Sequence, residues 1–232
     1  MYLPHFNAVA DEAELRRIVA AVATAQLITV GPDGYPRATL LPVLWHGERV
    51  IAHMARANEH WRVIEPGSPA LLVCTGPDAY VSPSWYASKA EHGKVVPTWN
   101  YSMVQLTGRA SVHDDPAWVR EAVTTLTETH ESGRAHPWAV SDAPDAYVAG
   151  QMRAIVGIEF CVERVEGKAK LSQNRSDADR TGVIEGLRAD GTAFERAVAD
   201  DMERELRGQP AASISASERP VSTDSGSSST GE

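Results

Sequence analysis

The sequence predicts an α+β protein, an antiparallel β-barrel with flanking helices, and three observations predict it. Short apolar runs recur between residues 26 and 113, separated by Gly, Pro and Asp in turn-forming combinations. Their close, hairpin-like spacing argues against alternating βαβ units. Longer helical patterns lie before and after this region.

The first element is a helix over "DEAELRRIVAAVATAQ". Asp11 is its expected cap, Glu14 the partner in a capping-box-like pair, and Leu15, Ile18, Val19 and Val22 its apolar stripe. Strands follow at "QLITV", "PRATLLPVLW" and "RVIAHMA", with turns at "GPDG" (31–34) and "HGE". "PALLVCT" and "AYVS" read as two further strands around a second "GPD" turn, and "MVQLTGRASVH" as the next. A helix is expected after Asp115 with Pro116 in its first turn, and a shorter one at "APDAYVAGQM". "RAIVGIEFCVERVEG" returns to strand, and helices around 176–188 and 192–206 complete a folded unit over residues 1–207. The Ser-rich, aromatic-free residues 208–232 read as a disordered tail.

With 232 residues, 43% hydrophobic and 23% charged, the chain can bury a core of ordinary globular composition. No apolar run reaches membrane-spanning length and the N-terminus lacks signal-peptide order, so a cytoplasmic location is expected. The two cysteines, Cys74 and Cys161, lie in strand-like runs and read as reduced, buried thiols. Net charge is 22 − 31 = −9. With no basic stripe, zinc-finger spacing or helix-turn-helix pattern, direct nucleic-acid binding is disfavoured.

Four stretches could carry chemistry. In "VIAHMARANEHWRVIEPG", Arg56, Asn58 and the start of a short helix could hold an anion, or Asn58 could simply cap and Arg56 be solvated. His53 and His60 flank that turn; each is a packed ring or an axial ligand to haem iron. Their spacing does not suit a zinc peptidase. In "YVSPSWYASKAEHGKVVPTWNY", Trp85, Tyr86, Trp99 and Tyr101 keep polar company unusual for a core: Ser84, Lys89, Lys94, Thr98 and Asn100. Rings on an irregular, proline-fixed segment suit the wall of a pocket for a flat ligand, and core packing is the alternative. Finally "VEGKAKLSQNRSDADRTGV" concentrates Lys168, Lys170, Gln173, Asn174 and Arg175 before a helix capped by Ser176. This is a solvated helix entry, or a second polar arm reaching a site across a dimer interface.

Taken in order, "MYLPHF", "HMARANEHW", "GPDAYVSPSWY", "VPTWNY" and "EGKAKLSQNRSDADRTGV" resemble the PaiB-type family, described as FMN-binding negative transcriptional regulators. The resemblance covers roughly residues 1–190. It implies a pyridoxamine-phosphate-oxidase-like split β-barrel, assembled as a homodimer with its cofactor at the subunit interface. It further implies that Ser84, Trp85, Tyr86, Thr98, Trp99 and Asn100 belong to the pocket wall and that Thr39, Leu40 and Leu41 line the ring system. Arg56 and Asn58 would hold the anionic tail, with Gln173, Asn174 and Arg175 completing the pocket.

Two positions depart from the family pattern. Leu40 stands in "ATLLP" where many members have histidine, and Glu59 stands where many have proline, followed by His60. One branch of PaiB-like proteins, the haem-dependent piperazate synthases, closes an N–N bond from an N-hydroxylated ornithine, and these departures are compatible with it. The resulting expectation is a haem b enzyme acting on a hydroxylated amino acid. His60 would be its axial ligand, with His53 the fallback, and Lys94, Tyr86 and Thr98 would orient substrate or deliver a proton. The alternatives are an FMN-binding regulator and an FMN-dependent oxidoreductase.

Overall fold

The computed structural model describes residues 1–208. Apart from Gly208, the tail expected at 208–232 lies outside the described residues. The chain runs β1 (Ala8–Val9), α1 (Glu12–Val22), β2 (Thr24–Val30), β3 (Pro36–His46), β4 (Arg49–Ala55), β5 (Ser68–Val81), α2 (Ser88–His92) and β6 (Thr98–His113). Then come α3 (Pro116–Glu131), α4 (Asp145–Met152), β7 (Ile155–Lys170), α5 (Asp177–Asp190) and α6 (Ala193–Leu206). Among the described residues no helix is long and apolar enough to cross a membrane.

The sheet order is β1-β7-β4-β3-β2-β5-β6, and β6 also pairs with β7. That last pairing closes six strands into an antiparallel split barrel, with β1 as an outer edge on β7. Closure removes the open edges that an unpaired sheet would present to other chains. Along each strand alternate residues face inward. Leu27, Leu41, Val43, Val50, Met54, Leu72, Val104, Leu106, Ile158 and Phe160 fill the interior. Each fully buried side chain of this kind contributes roughly 1.5–3 kcal/mol.

α1 starts where its cap places it: the Asp11 side chain accepts from the Ala13 backbone N–H at 3.1 Å. Glu14 pairs with Arg17 instead of returning to the cap, so the box is not completed. The helix stops at Val22, earlier than the apolar run suggests, because Ala23 turns left-handed (φ 57°) and sends the chain into β2. The second "GPD" is not a turn either. β5 passes straight through it as a bulge, its pairing with β6 shifting register between Thr75 and Asp78.

Helices cover part of the barrel's outside. α3 lies over β4 and β7, where Gly157 leaves room for the Trp118 ring; a Cβ there would sit 2.0 Å from it. α5 and α6 build a second apolar cluster with Ala79, Val81, Tyr86 and Leu171. The outward rows of β3, β2 and the first half of β5 belong to neither cluster. Cross-strand pairing puts Leu40, Gln26, Val73 and Gln105 in one row, and Ala38, Ile28, Leu71 and Thr107 in the next. Leu40 is 60% exposed and Val30 64%.

Candidate functional site

His60 sits in a short 3-10 turn (Glu59–Val63) entered through Asn58, whose side chain accepts from the His60 backbone N–H at 3.0 Å. The turn lays the imidazole across one end of the barrel, between the inward-facing Thr29 and Thr39. Nε2 meets the Thr29 hydroxyl and Nδ1 the Thr39 hydroxyl, each at 2.8 Å, and Asn58 Nδ2 donates to Thr39 Oγ1 at 3.2 Å. A neutral ring has one donor and one acceptor nitrogen. One consistent pattern runs from Asn58 N–H to Thr39 O–H to Nδ1, with Nε2–H donating to the Thr29 hydroxyl. Burial, then the nearby Arg37 charge, holds the His60 pKa below the ordinary histidine value. In this arrangement His60 offers no free nitrogen to an iron.

His53, the fallback ligand, pairs with Gly157 on β7 and so faces the layer where Trp118 lies. Its Nδ1 is buried without a partner, and burial lowers its pKa. Arg56 is also differently employed than expected. Its guanidinium donates to the Arg153 and Ile155 carbonyls and forms a two-pronged pair with Asp114, which raises the arginine pKa and lowers that of the aspartate. It staples the end of β4 to β7, with four of the five guanidinium N–H groups engaged in those contacts. Leu41, 3% exposed, belongs to the barrel interior; Leu40, its neighbour, faces outward.

The aromatic segment splits in two. Trp85 lies against α5, where Gly182 and Gly186 admit it; a Cβ on Gly186 would come within 2.4 Å of its ring. Trp99 is 53% exposed and meets Tyr80 edge-on across the β5–β6 ladder. Ser84 accepts from Lys89 Nζ at 3.1 Å, and Lys94 is exposed on the loop after α2. Gln173 is occupied by its own backbone, accepting from the Leu171 N–H and donating to the Ala169 carbonyl.

The remaining five predicted residues do converge. Tyr86, Thr98, Asn100, Asn174 and Arg175 line one pocket of about 310 Å³, closed on one side by the N-terminal segment. Sequence reasoning placed Lys168 and Lys170 in a polar arm without giving them a role; both line this pocket. Their i, i+2 spacing on a strand, which places them on one face, was the available signal. Asn100 is fully buried and exchanges hydrogen bonds with the Ser172 hydroxyl at 3.0 and 3.2 Å. Ser172 has φ 65°, so this pair fixes the bend from which Asn174 and Arg175 project. The other residue missed is Arg37, half-buried beside His60, with Asp33 at 3.5 Å.

Among the described residues no cluster of three His, Cys, Asp or Glu side chains could hold a metal ion. Both cysteines are free; Cys74 is buried as expected, whereas Cys161 is exposed because it falls on the outward side of β7.

The fold is that of an antiparallel split-barrel protein. Residues 1–164 match the family described as "Putative FMN-binding domain". The protease synthase and sporulation protein PAI 2 of Bacillus subtilis is 30% identical over 213 residues, 90% of this chain and 100% of that one. The chain belongs to this PaiB-type FMN-binding family. Among solved structures it shares its fold with the FAD and haem binding protein of Mycobacterium smegmatis (TM-score 0.55, 18% identity, 75% of this chain and 79% of that one). The flavocytochrome Anf3 of Azotobacter vinelandii is similar too (TM-score 0.54, 19% identity, 76% of each chain).

Proposed function

We propose that the protein is an FMN-dependent small-molecule oxidoreductase acting as a homodimer, with the flavin against the outward face of β2 and β3. The observation that carries this reading is that face itself. Leu40, Ala38, Ile28, Val30, Leu71 and Val73 present apolar surface on a stretch of the sheet that belongs to neither buried apolar cluster. Exposed apolar surface of this kind marks an interface or a ligand-binding surface. A flat ring system would rest on Leu40, and a second subunit over the same face would exclude water from it. When bound, the flavin supplies hydride or electron transfer; the protein binds, orients and shields it.

The family's description as transcriptional regulators has little support in this chain. Net charge is −9, and most of its arginines are spent in ion pairs along helices and strands. The haem-dependent N–N cyclase reading, built on His60, requires that ring to leave Thr29 or Thr39 before it could ligate iron. Titrating FMN into flavin-free protein, with quenching of flavin fluorescence as the signal, tests the proposal. Saturable binding that Leu40→Glu weakens is expected; absence of binding to a dimeric, folded protein would overturn it.

A further inference from the structure

We infer that the pocket between β6, β7 and the N-terminal segment is a binding site for the oxyanion, phosphate or carboxylate, of a small molecule. The argument uses the pocket's own side chains and does not depend on the flavin reading. Lys168, Lys170 and Arg175 converge there, and the lining contains no Asp or Glu. None of the three cations forms an ion pair among the described residues, although arginines elsewhere in this acidic chain are repeatedly paired. Three cations gathered in this way are electrostatically unfavourable without an anion between them.

Neutral groups hold each cation in place. Lys168, 9% exposed, donates to the Tyr2 carbonyl at 3.1 Å and lies 5.5 Å from the Tyr101 ring. Lys170 donates to the Thr98 hydroxyl and the Trp99 carbonyl. Burial, and then the charge of Lys168, push its pKa below the ordinary lysine value. Arg175 stacks on Tyr86 at 4.7 Å, which fixes the plane of its guanidinium while leaving its N–H groups free of any hydrogen bond among the described residues. A stacked guanidinium flanked by ammonium groups is suited to a bidentate oxyanion. At about 310 Å³ the pocket suits a small metabolite and not a polymer. The buried Asn100–Ser172 pair supports the bend carrying Arg175, so the site is built before ligand arrives.

The test is calorimetric titration of flavin-free, full-length protein at low salt with inorganic phosphate and, separately, succinate. Saturable binding of at least one is expected, weakened about tenfold or more by Arg175→Gln and by Lys170→Met. Arg164→Gln, an exposed position on the same strand, should leave it unchanged. Arg175 has no ion-pair partner to strand, so its variant carries the test even if Lys170→Met fails to fold. Preference for phosphate would mark a phosphorylated ligand, and preference for succinate a carboxylate. Repeating the titration with FMN present tells whether the oxyanion belongs to the cofactor, which would compete, or to a second molecule, which would bind alongside. Absence of saturable binding by either probe, or unchanged binding in folded Arg175→Gln, would overturn the inference.

Discussion

The Thr39 hydroxyl meets His60 Nδ1 at 2.8 Å, and the opposite ring nitrogen meets Thr29 at the same distance. An imidazole held at both nitrogens at the end of a barrel is a structural plug. Thr39→Val would keep the shape of residue 39 but leave Nδ1 and Asn58 Nδ2 unpaired. The expected loss is about 1–3 kcal/mol in unfolding free energy, measured by urea denaturation.

The two histidines set a pH dependence. Burial lowers the pKa of His53 and of His60, so both resist protonation in the fold while the unfolded chain takes up protons near the ordinary value of about 6.5. The folded state then binds fewer protons, and stability falls as pH drops through that value towards the folded pKa values. The urea midpoint should be lower at about pH 5.5 than at about pH 7.5, and His60→Gln should reduce the difference.

Thiol reactivity separates the two cysteines. Burial pushes the Cys74 pKa up to about 12, whereas Cys161 is exposed on β7. The thiolate is the reactive form, so a maleimide should label one thiol per native chain, at Cys161, and both after denaturation.

Leu40→Glu places a charge on the outward apolar face. Light scattering should show a mass near one chain for the variant and near two for the parent, with the unfolding midpoint of the isolated chain little changed because Leu40 is 60% exposed.

Trp85 seated on Gly182 and Gly186 gives a packing prediction. Gly186→Val would drive a side chain into the indole, 2.4 Å from where a Cβ falls. A loss of roughly 1–3 kcal/mol is expected, measured by thermal or urea unfolding.

Strands such as β4, with alternating polarity between turn residues, were legible in the sequence. The β5 bulge was not, because "GPD" serves a hairpin at residues 31–33 and a register shift at 76–78 with the same residues. In the site, legibility followed sequence distance. Asn58 as a cap and Ser176 as a cap are local and came out as read. Arg56 was misjudged because its partner, Asp114, lies 58 residues away. Which of Leu40 and Leu41 faces outward depends on where the barrel interior falls, and the short string "ATLLP" does not encode that. Trp85 looked like a pocket wall because the glycines that receive it, Gly182 and Gly186, lie about a hundred residues further on.

The absorption spectrum of purified full-length protein, produced with riboflavin and haem precursor both in supply, tests the central claim most directly. The account predicts two flavin bands, FMN released on denaturation, and loss of both in Leu40→Glu. A Soret band in the parent that disappears in His60→Ala would contradict it, showing that His60 leaves its threonines to bind iron.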